Sequence, residues 1–196
     1  MTLTIETITR DRLADYASVP IAFEVRAVFA VEDEAGGRAG YSLSERAVQP
    51  YQKDYDALPD GGPLQWPDRF GISTWGIFVA RAGDQIVGGA AVAWDSPDIH
   101  MLEGRRDLAV LWDLRVRSQY QRQGIGTALF NHAADWAKSR GCALLKIETQ
   151  NVNVAACRFY ARMGCHLGSI DREAYRTCPE VADEIMLVWH LDLGQR

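Results

Sequence analysis

The chain has 196 residues, of which 47% are hydrophobic and 24% are charged, and this composition is typical of a single globular domain spanning residues 1–196. The net charge of −5 disfavours nucleic-acid binding, because an acidic surface repels phosphates. The longest uncharged apolar run, residues 86–94, is too short to span a bilayer, so we expect no membrane partner.

The N-terminal part of the chain predicts one strand and several helices. A first strand covers residues 3–8, and helical segments lie around 11–17, 21–30 and 43–56. A loop rich in glycine and proline follows over 57–72. Residues 1–70 carry 12 acidic and 7 basic side chains, so they hold the whole negative excess and favour a cationic partner.

The C-terminal part predicts alternating strands and helices. Two apolar runs form a hairpin that turns at 82–84, and an alternating strand covers 108–116, with Trp112 and Leu114 on one face and Asp113 on the other. A helix over 125–140, a strand over 142–149 and a helix over 153–163 come next, followed by two antiparallel strands over 165–170 and 184–192. This order predicts an α/β (α+β) fold.

The turn QRQGIG, residues 121–126, joins the strand 108–116 to the following helix. A helix start exposes unpaired N–H groups, and Gly124 and Gly126 let a ligand approach the backbone closely. Together these features predict a phosphate site. A Walker A loop is excluded because Thr127 and Ala128 stand where lysine and serine or threonine are needed. A dinucleotide fingerprint fits poorly because Leu129 replaces its third glycine.

The turn instead resembles the pyrophosphate loop of the GNAT superfamily of acetyl-CoA-dependent N-acetyltransferases. A second segment, NVNVAACRFYARMGC (151–165), is similar to the superfamily signature that runs from Asn153 through Ala156 and Tyr160 to Gly164. The resemblance implies a GNAT fold, in which a mixed, mostly antiparallel sheet is splayed in the middle and carries helices on both faces. It also implies acetyl-CoA as cosubstrate.

The resemblance assigns most of the candidate site. The pyrophosphate would lie on the turn, and pantetheine would pair with the backbone of the preceding strand. Tyr160 would be the general acid toward the thiolate, with a buried aromatic role beside Phe159 as the alternative. The cofactor-binding set is Leu114, Arg115, Val116, Gln121, Arg122, Gln123, Gly124, Ile125, Gly126, Thr127, Asn153, Ala156 and Tyr160. Asn153 is also expected to cap its helix.

The general base is left open between two carboxylates. Asp113 and Glu148 lie on the two strands that flank the expected cofactor gap, and either could take the ammonium proton directly or through water. The alternative is that they only anchor a cationic substrate or make local hydrogen bonds. Trp94 and Trp112 are expected mainly to pack in the core, and His132 is expected to pack on the apolar face of its helix.

Five segments together resemble the streptothricin acetyltransferases, including residues 22–33 and 48–55, in the half that varies most within the superfamily, and 168–175 near the end. The likeness implies a small cationic amine acceptor, with acids of 24–60 holding its ammonium groups. Trp112 departs from the pattern because it stands where those enzymes often carry an acid. Acetylation of ribosomal proteins and a non-catalytic acyl-CoA module are the alternatives, and a homodimer is left open.

Location and metal content follow from simpler patterns. Residues 1–12 lack the apolar segment of a secretion signal, and the four cysteines include no C-x-x-C pair. The four histidines show no ligand spacing, so no metal site is expected. We therefore expect a cytoplasmic protein with reduced thiols.

Overall fold

The structure is a computed structural model that describes residues 2–34, 40–59 and 61–194. Its nine strands and four helices within those ranges are β1 (Leu3–Thr7), α1 (Leu13–Ala17), β2 (Phe23–Glu34), β3 (Gly40–Lys53), α2 (Trp66–Arg69), β4 (Gly76–Ala82), β5 (Gln85–Ala93), β6 (Leu108–Val116), α3 (Ile125–Ser139), β7 (Leu144–Gln150), α4 (Val154–Arg162), β8 (His166–Asp171) and β9 (Met186–Asp192). No helix in these ranges is long and apolar enough to cross a membrane.

The main sheet has seven strands in the order β1-β4-β5-β6-β7-β9-β8, and β2 pairs with β3 in a separate two-stranded sheet. The pairs from β1 to β6 are antiparallel, whereas β6 and β7 run parallel. That parallel pairing covers only Leu108↔Leu144 to Leu111↔Ile147, although both strands continue. The predicted α/β class, with a mixed and mostly antiparallel sheet, is confirmed.

The chain divides into two compact units. The first contains Met1–Ile21, Asp54–Ile147 and His190–Arg196, and the second contains Ala22–Lys53 and Glu148–Trp189. The candidate residues divide with them. Asp113, residues 114–116 and the glycine turn belong to the first unit, whereas Glu148, Asn153, Ala156 and Tyr160 belong to the second.

Helices lie on both faces of the sheet in the first unit. Gly88 and Gly89 are neighbours on β5, so a Cβ on one would point to the opposite face from a Cβ on the other. A Cβ at Gly88 would lie 2.9 Å from Leu129 of α3, and one at Gly89 would lie 2.5 Å from the Tyr16 ring of α1. The two glycines therefore let α1 and α3 pack closely against opposite faces.

A β-bulge corrects the predicted alternation of β6. Ala91 pairs with Asp113 and Val92 with Leu111, so Trp112 is the extra residue. Val110 and Trp112 pack in or against the core cluster that contains Tyr16, and the hydroxyl of Tyr16 also reaches Asp113. Trp112 and Asp113 therefore share one face of the sheet, because the bulge shifts the alternation by one residue. The expected core packing of Trp112 is confirmed.

The predicted helices over 21–30 and 43–56 are wrong, because these residues form β2 and β3. The two strands pair antiparallel from Phe23↔Lys53 to Glu34↔Gly40. Their register shifts between Val25 and Ala27, opposite the stretch that contains Pro50. Alanine, glutamate and arginine favour a helix locally, but Pro50 would interrupt one, and pairing between distant residues decides the outcome.

Other local predictions are confirmed. Asn153 is the N-cap of α4, and its Oδ1 accepts a hydrogen bond from the Ala156 N–H at 3.1 Å. His132 packs edge-to-face on Phe78, with ring centroids 4.6 Å apart. The hairpin β4–β5 turns at Gly83, whose φ of +60° suits glycine.

Candidate functional site

The glycine turn leads directly into the start of α3, where the sequence predicts a phosphate site. Gly124 is the N-cap residue with φ +83°, and Arg122 also has a positive φ of +61°. Gly124 has no side chain to cap the helix, and its first turn contains no acidic residue. The first N–H groups of a helix have no intrahelical acceptor and carry partial positive charge. The helix start is therefore left for an anion to occupy.

The side chains of the turn mainly brace its own backbone. The Gln121 amide donates to the Val116 carbonyl at 3.3 Å, and the Gln123 amide donates to the Gln119 carbonyl at 3.1 Å. Arg122 is exposed, and Ile125 is buried beneath the turn. Backbone N–H groups, the charged Arg122 side chain and the second hydrogens of the two glutamine amides are the donors that a phosphate can use here.

The segment proposed to pair with pantetheine lies at the end of β6. Leu114, Arg115 and Val116 are held on one side by β5, where they pair with Ala90, Gly89 and Gly88. They lie beyond Leu111, the last residue of β6 that pairs with β7. Pairing with β5 therefore holds the backbone of 114–116 in place.

Asp113 lies in a buried network in the first unit. The Arg115 guanidinium binds it bidentately, with Nε–Oδ1 2.8 Å and Nη2–Oδ2 2.6 Å, and the Tyr16 hydroxyl donates to Oδ1 at 2.6 Å. Arg115 also donates to both oxygens of Asp56 and to the Val19 carbonyl, at 2.7–3.0 Å. All five N–H donors of the guanidinium are therefore used.

The charges of this network stabilise one another. Burial opposes the charge on Arg115, but Asp113 and Asp56 outweigh burial and hold the pKa of Arg115 above its usual value. Burial also raises the pKa of Tyr16, and the charge of Asp113 raises it further, so this phenol stays protonated and donates. Both oxygens of Asp113 are consequently already hydrogen-bonded, to Tyr16 and Arg115.

Glu148 has a different environment in the second unit. The Tyr175 hydroxyl donates to Oε1 at 2.5 Å, and the Gln150 amide donates to the same oxygen at 3.2 Å. The Glu148 side chain makes no ion pair among the described residues. Burial raises its pKa, and the hydrogen bonds from Tyr175 and Gln150 lower it only in part. A carboxyl group with a raised pKa is suited to proton transfer.

Tyr160 is buried on α4, where its ring packs edge-to-face with Phe159 at 5.3 Å between centroids. Its carbonyl accepts the Cys165 N–H at 3.0 Å, which helps to end the helix. Both the acid role and the packing role fit this position. Ala156 lies in the first turn of the same helix.

The second unit contains a polar cavity of about 350 Å³. Tyr51 lines part of the cavity. The segment after β8 contributes three carboxylates to the lining, which are Glu180, Asp183 and Glu184. Glu184 is buried and forms an ion pair with Lys53, whereas Glu180 and Asp183 are exposed. The cavity has a carboxylate surplus over Lys53, its one basic side chain among the described lining residues.

Most acids of 24–60 are already paired with arginine. Four of these pairs lie within the second unit: Glu24–Arg26, Glu32–Arg46, Asp33–Arg172 and Glu45–Arg158. Asp56 is paired with Arg115, and Asp60 lies outside the described residues. Most of the carboxylates of residues 24–60 are therefore already balanced by neighbouring arginine side chains.

Sequence reasoning missed the residues that hold the two candidate bases. Tyr16, Asp56 and the Arg115 side chain enclose Asp113, and Tyr175 contacts Glu148 from 27 residues away in the chain. Tyr175 is the last residue of GSIDREAY (168–175), one of the segments on which the family resemblance depends. No local pattern marks Tyr16 as the partner of a carboxylate 97 residues away.

Comparison with known proteins adds independent information. Residues 41–165 match the acetyltransferase (GNAT) family. The chain is 30% identical over 180 residues to a streptothricin acetyltransferase of Escherichia coli, covering 92% of this chain and 91% of the relative. It is 37% identical over 81 residues to the ribosomal protein bS18-alanine N-acetyltransferase of Escherichia coli K12, covering 41% of this chain and 55% of that relative.

A solved structure is similar over nearly the whole chain. It is an acetyl-coenzyme-A complex of a Bacillus anthracis protein assigned as a streptothricin acetyltransferase. The TM-score is 0.75 at 25% identity, and the alignment covers 97% of this chain and 99% of that protein.

Proposed function

Because this chain belongs to the acetyltransferase (GNAT) family and is an acetyl-CoA-dependent N-acetyltransferase, we propose that its acceptor is a small polycationic amine, specifically an amino group of streptothricin. One observation carries this proposal. The sequence similarity to the Escherichia coli streptothricin acetyltransferase extends over 92% of the chain, whereas the sequence similarity to the bS18-alanine enzyme extends over 41%. The acceptor proposed here is the one named for the relative that matches both halves.

The cavity of the second unit supports a cationic acceptor. Its exposed carboxylates, Glu180 and Asp183, would attract ammonium groups, and Tyr51 places an aromatic residue in the same lining, where a cation–π contact would add to that attraction. The arginine-paired acids of the hairpin β2–β3 are less suited to this role, because their charge is already neutralised.

The glycine turn is proposed to hold the cosubstrate. N–H groups of residues 121–127 would bind the pyrophosphate, and the backbone of 114–116 would pair with pantetheine. A backbone N–H near the thioester carbonyl would stabilise the developing oxyanion, and such a donor contributes about 3 kcal/mol. Asn153 and Ala156 would contact the cosubstrate at the start of α4.

Glu148 is proposed as the general base. It would take a proton from the acceptor ammonium, and the neutral nitrogen would then attack the acetyl carbon. As the carbon–sulfur bond breaks, Tyr160 would give its proton to the leaving thiolate of CoA. The nitrogen, which is positively charged after attack, would lose its second proton as the amide forms, and that proton would restore the Tyr160 phenol. Asp113 is less suited to be the base, because Arg115 and Tyr16 already bind both of its oxygens.

The test is acetyl transfer to a panel of amines, measured by release of the CoA thiol. The panel contains streptothricin, spermidine, lysine, an aminoglycoside and an N-terminal ribosomal-protein peptide. Streptothricin is expected to have the highest kcat/KM. Its KM should rise with ionic strength, because attraction between exposed charges is screened over about 8–10 Å at physiological salt.

The alternative acceptor is the N-terminal amine of a ribosomal protein, favoured by the partial likeness to the bS18-alanine enzyme. If the peptide is acetylated far better than streptothricin, the alternative replaces the proposal. If all the small amines of the panel react equally well and ionic strength has no effect on their KM, the enzyme does not select its acceptor by the number of positive charges.

A further inference from the structure

Two hydrogen-bond donors converge on a single oxygen of Glu148. Tyr175 Oη and Gln150 Nε2 both donate to Oε1, at 2.5 and 3.2 Å. The Gln150 amide also donates to Tyr175 Oη at 2.8 Å, so both of its hydrogens are used. Because Gln150 occupies an acceptor site of the phenol, the hydroxyl hydrogen is directed to Glu148.

The second oxygen of the same carboxylate is left without a hydrogen bond among the described residues. A carboxylate with both oxygens bonded equally would present no preferred site for a proton. We propose that Tyr175 is a positioning residue that, together with Gln150, holds Oε1 of Glu148 and reserves Oε2 to accept the ammonium proton. This inference rests on the proposed role of Glu148 as the base.

The segment that carries Tyr175 is itself anchored within the second unit. Near its start, the Arg172 guanidinium donates to the Val31 carbonyl at 2.8 Å, and Asp171 accepts the Glu173 N–H at 2.8 Å. Near its end, Glu184 forms a buried ion pair with Lys53. A positioning group must be held by its own surroundings, and these contacts supply that support.

The two donors also moderate the proton affinity of the base. Burial raises the pKa of Glu148, and Tyr175 and then Gln150 lower it. No charged side chain among the described residues contributes to this balance. Removing the Tyr175 hydroxyl should therefore raise the pKa of Glu148 further, so that the carboxylate form is lost at a higher pH.

The experiment compares Tyr175→Phe and Glu148→Gln, alone and together, with Arg176→Gln as control. Tyr175→Phe keeps the ring and should lower kcat roughly tenfold near neutral pH, a fraction of the effect of the whole base. It should also shift the acidic limb of kcat/KM to higher pH and leave the KM for acetyl-CoA unchanged. Arg176 lies on the same segment, is exposed and pairs with Glu173, so its variant should match the parent.

The double variant separates positioning from other roles. If Tyr175 acts through Glu148, adding Tyr175→Phe to Glu148→Gln has no further effect, because interacting residues are not additive. An equal loss in both backgrounds overturns the inference, as does a Tyr175→Phe pH profile that coincides with the parent. Should Tyr175→Phe lower the folded fraction, Gln150→Met removes the other donor and must shift the acidic limb in the same direction, by a smaller amount.

The outcome also distinguishes this inference from the proposed base. A fully active Glu148→Gln overturns both. A strongly impaired Glu148→Gln beside an unaffected Tyr175→Phe overturns only the positioning role.

Discussion

Asp113 in the first unit and Glu148 in the second are both candidate bases by sequence, but the structure gives them contrasting environments. Asp113 receives three hydrogen bonds, from Tyr16 and Arg115, across both of its oxygens. Glu148 receives two hydrogen bonds, both on Oε1, and neither donor is charged. A carboxylate bound by a buried arginine cannot be removed without leaving a buried charge unpaired, whereas a buried carboxylate without a cation remains able to exchange a proton.

Replacing Glu148 should have the largest effect on turnover. Glu148→Gln keeps the shape and removes the base, so kcat should fall between about 100- and 10,000-fold when measured by thiol release near neutral pH. Thermal stability should not fall. Because burial raises the pKa of Glu148 in the folded state, its charge opposes folding above its ordinary pKa, and the neutral amide removes that cost. Turnover close to the parent would show that another group is the base.

Replacing Asp113 should act on stability instead. Asp113→Asn removes one anion from the buried Arg115 network, and breaking such a pair costs about 3 kcal/mol. Urea unfolding should show this loss, while the folded fraction turns over like the parent. Asp56→Asn is the matched control, because Asp56 is more exposed and its loss should cost less. Lost turnover with unchanged stability would exchange the roles of Asp113 and Glu148.

The contrast between the two carboxylates could be predicted from the sequence only in part. Glu148 and Tyr160 lie beside a motif whose strand and helix follow local periodicity, and β7 and α4 formed close to the predicted bounds. The bulge at Trp112 could not be seen in an uninterrupted alternation, because it depends on the pairing of β6 with β5. The Tyr16–Asp113 contact joins residues 97 positions apart in the chain, and the hairpin β2–β3 depends on pairing between two strands rather than on the helix-favouring residues within each.

Tyr160→Phe tests whether the second unit supplies the proposed general acid as well as the proposed general base. The change keeps the buried ring and deletes the phenolic proton, so kcat should fall on the order of a hundredfold. Acetyl-CoA affinity, measured by isothermal titration, should change little. Tyr41→Phe is the control, since Tyr41 is exposed on β3. A Tyr160→Phe enzyme as active as the parent would mean that water or another group protonates the thiolate.

The smallest effect is expected at the glycine turn, for which we propose a role in cosubstrate binding and none in proton transfer. Gly126→Asp adds a carboxylate in the first turn of α3, where it would repel the pyrophosphate and lower acetyl-CoA affinity at least tenfold, which is about 1.4 kcal/mol. The same charge favours the helix N-terminus, so the melting temperature should not fall. Gly126→Ala separates bulk from charge, and isothermal titration should show it much closer to the parent. An unchanged affinity in Gly126→Asp would remove the turn from the cosubstrate site and leave the backbone of 114–116 as the first unit's proposed contact with the cosubstrate. If Gly126→Ala and Gly126→Asp lose acetyl-CoA affinity equally, the added Cβ rather than the charge is responsible, because the phosphates lie too close to the backbone to leave room for it.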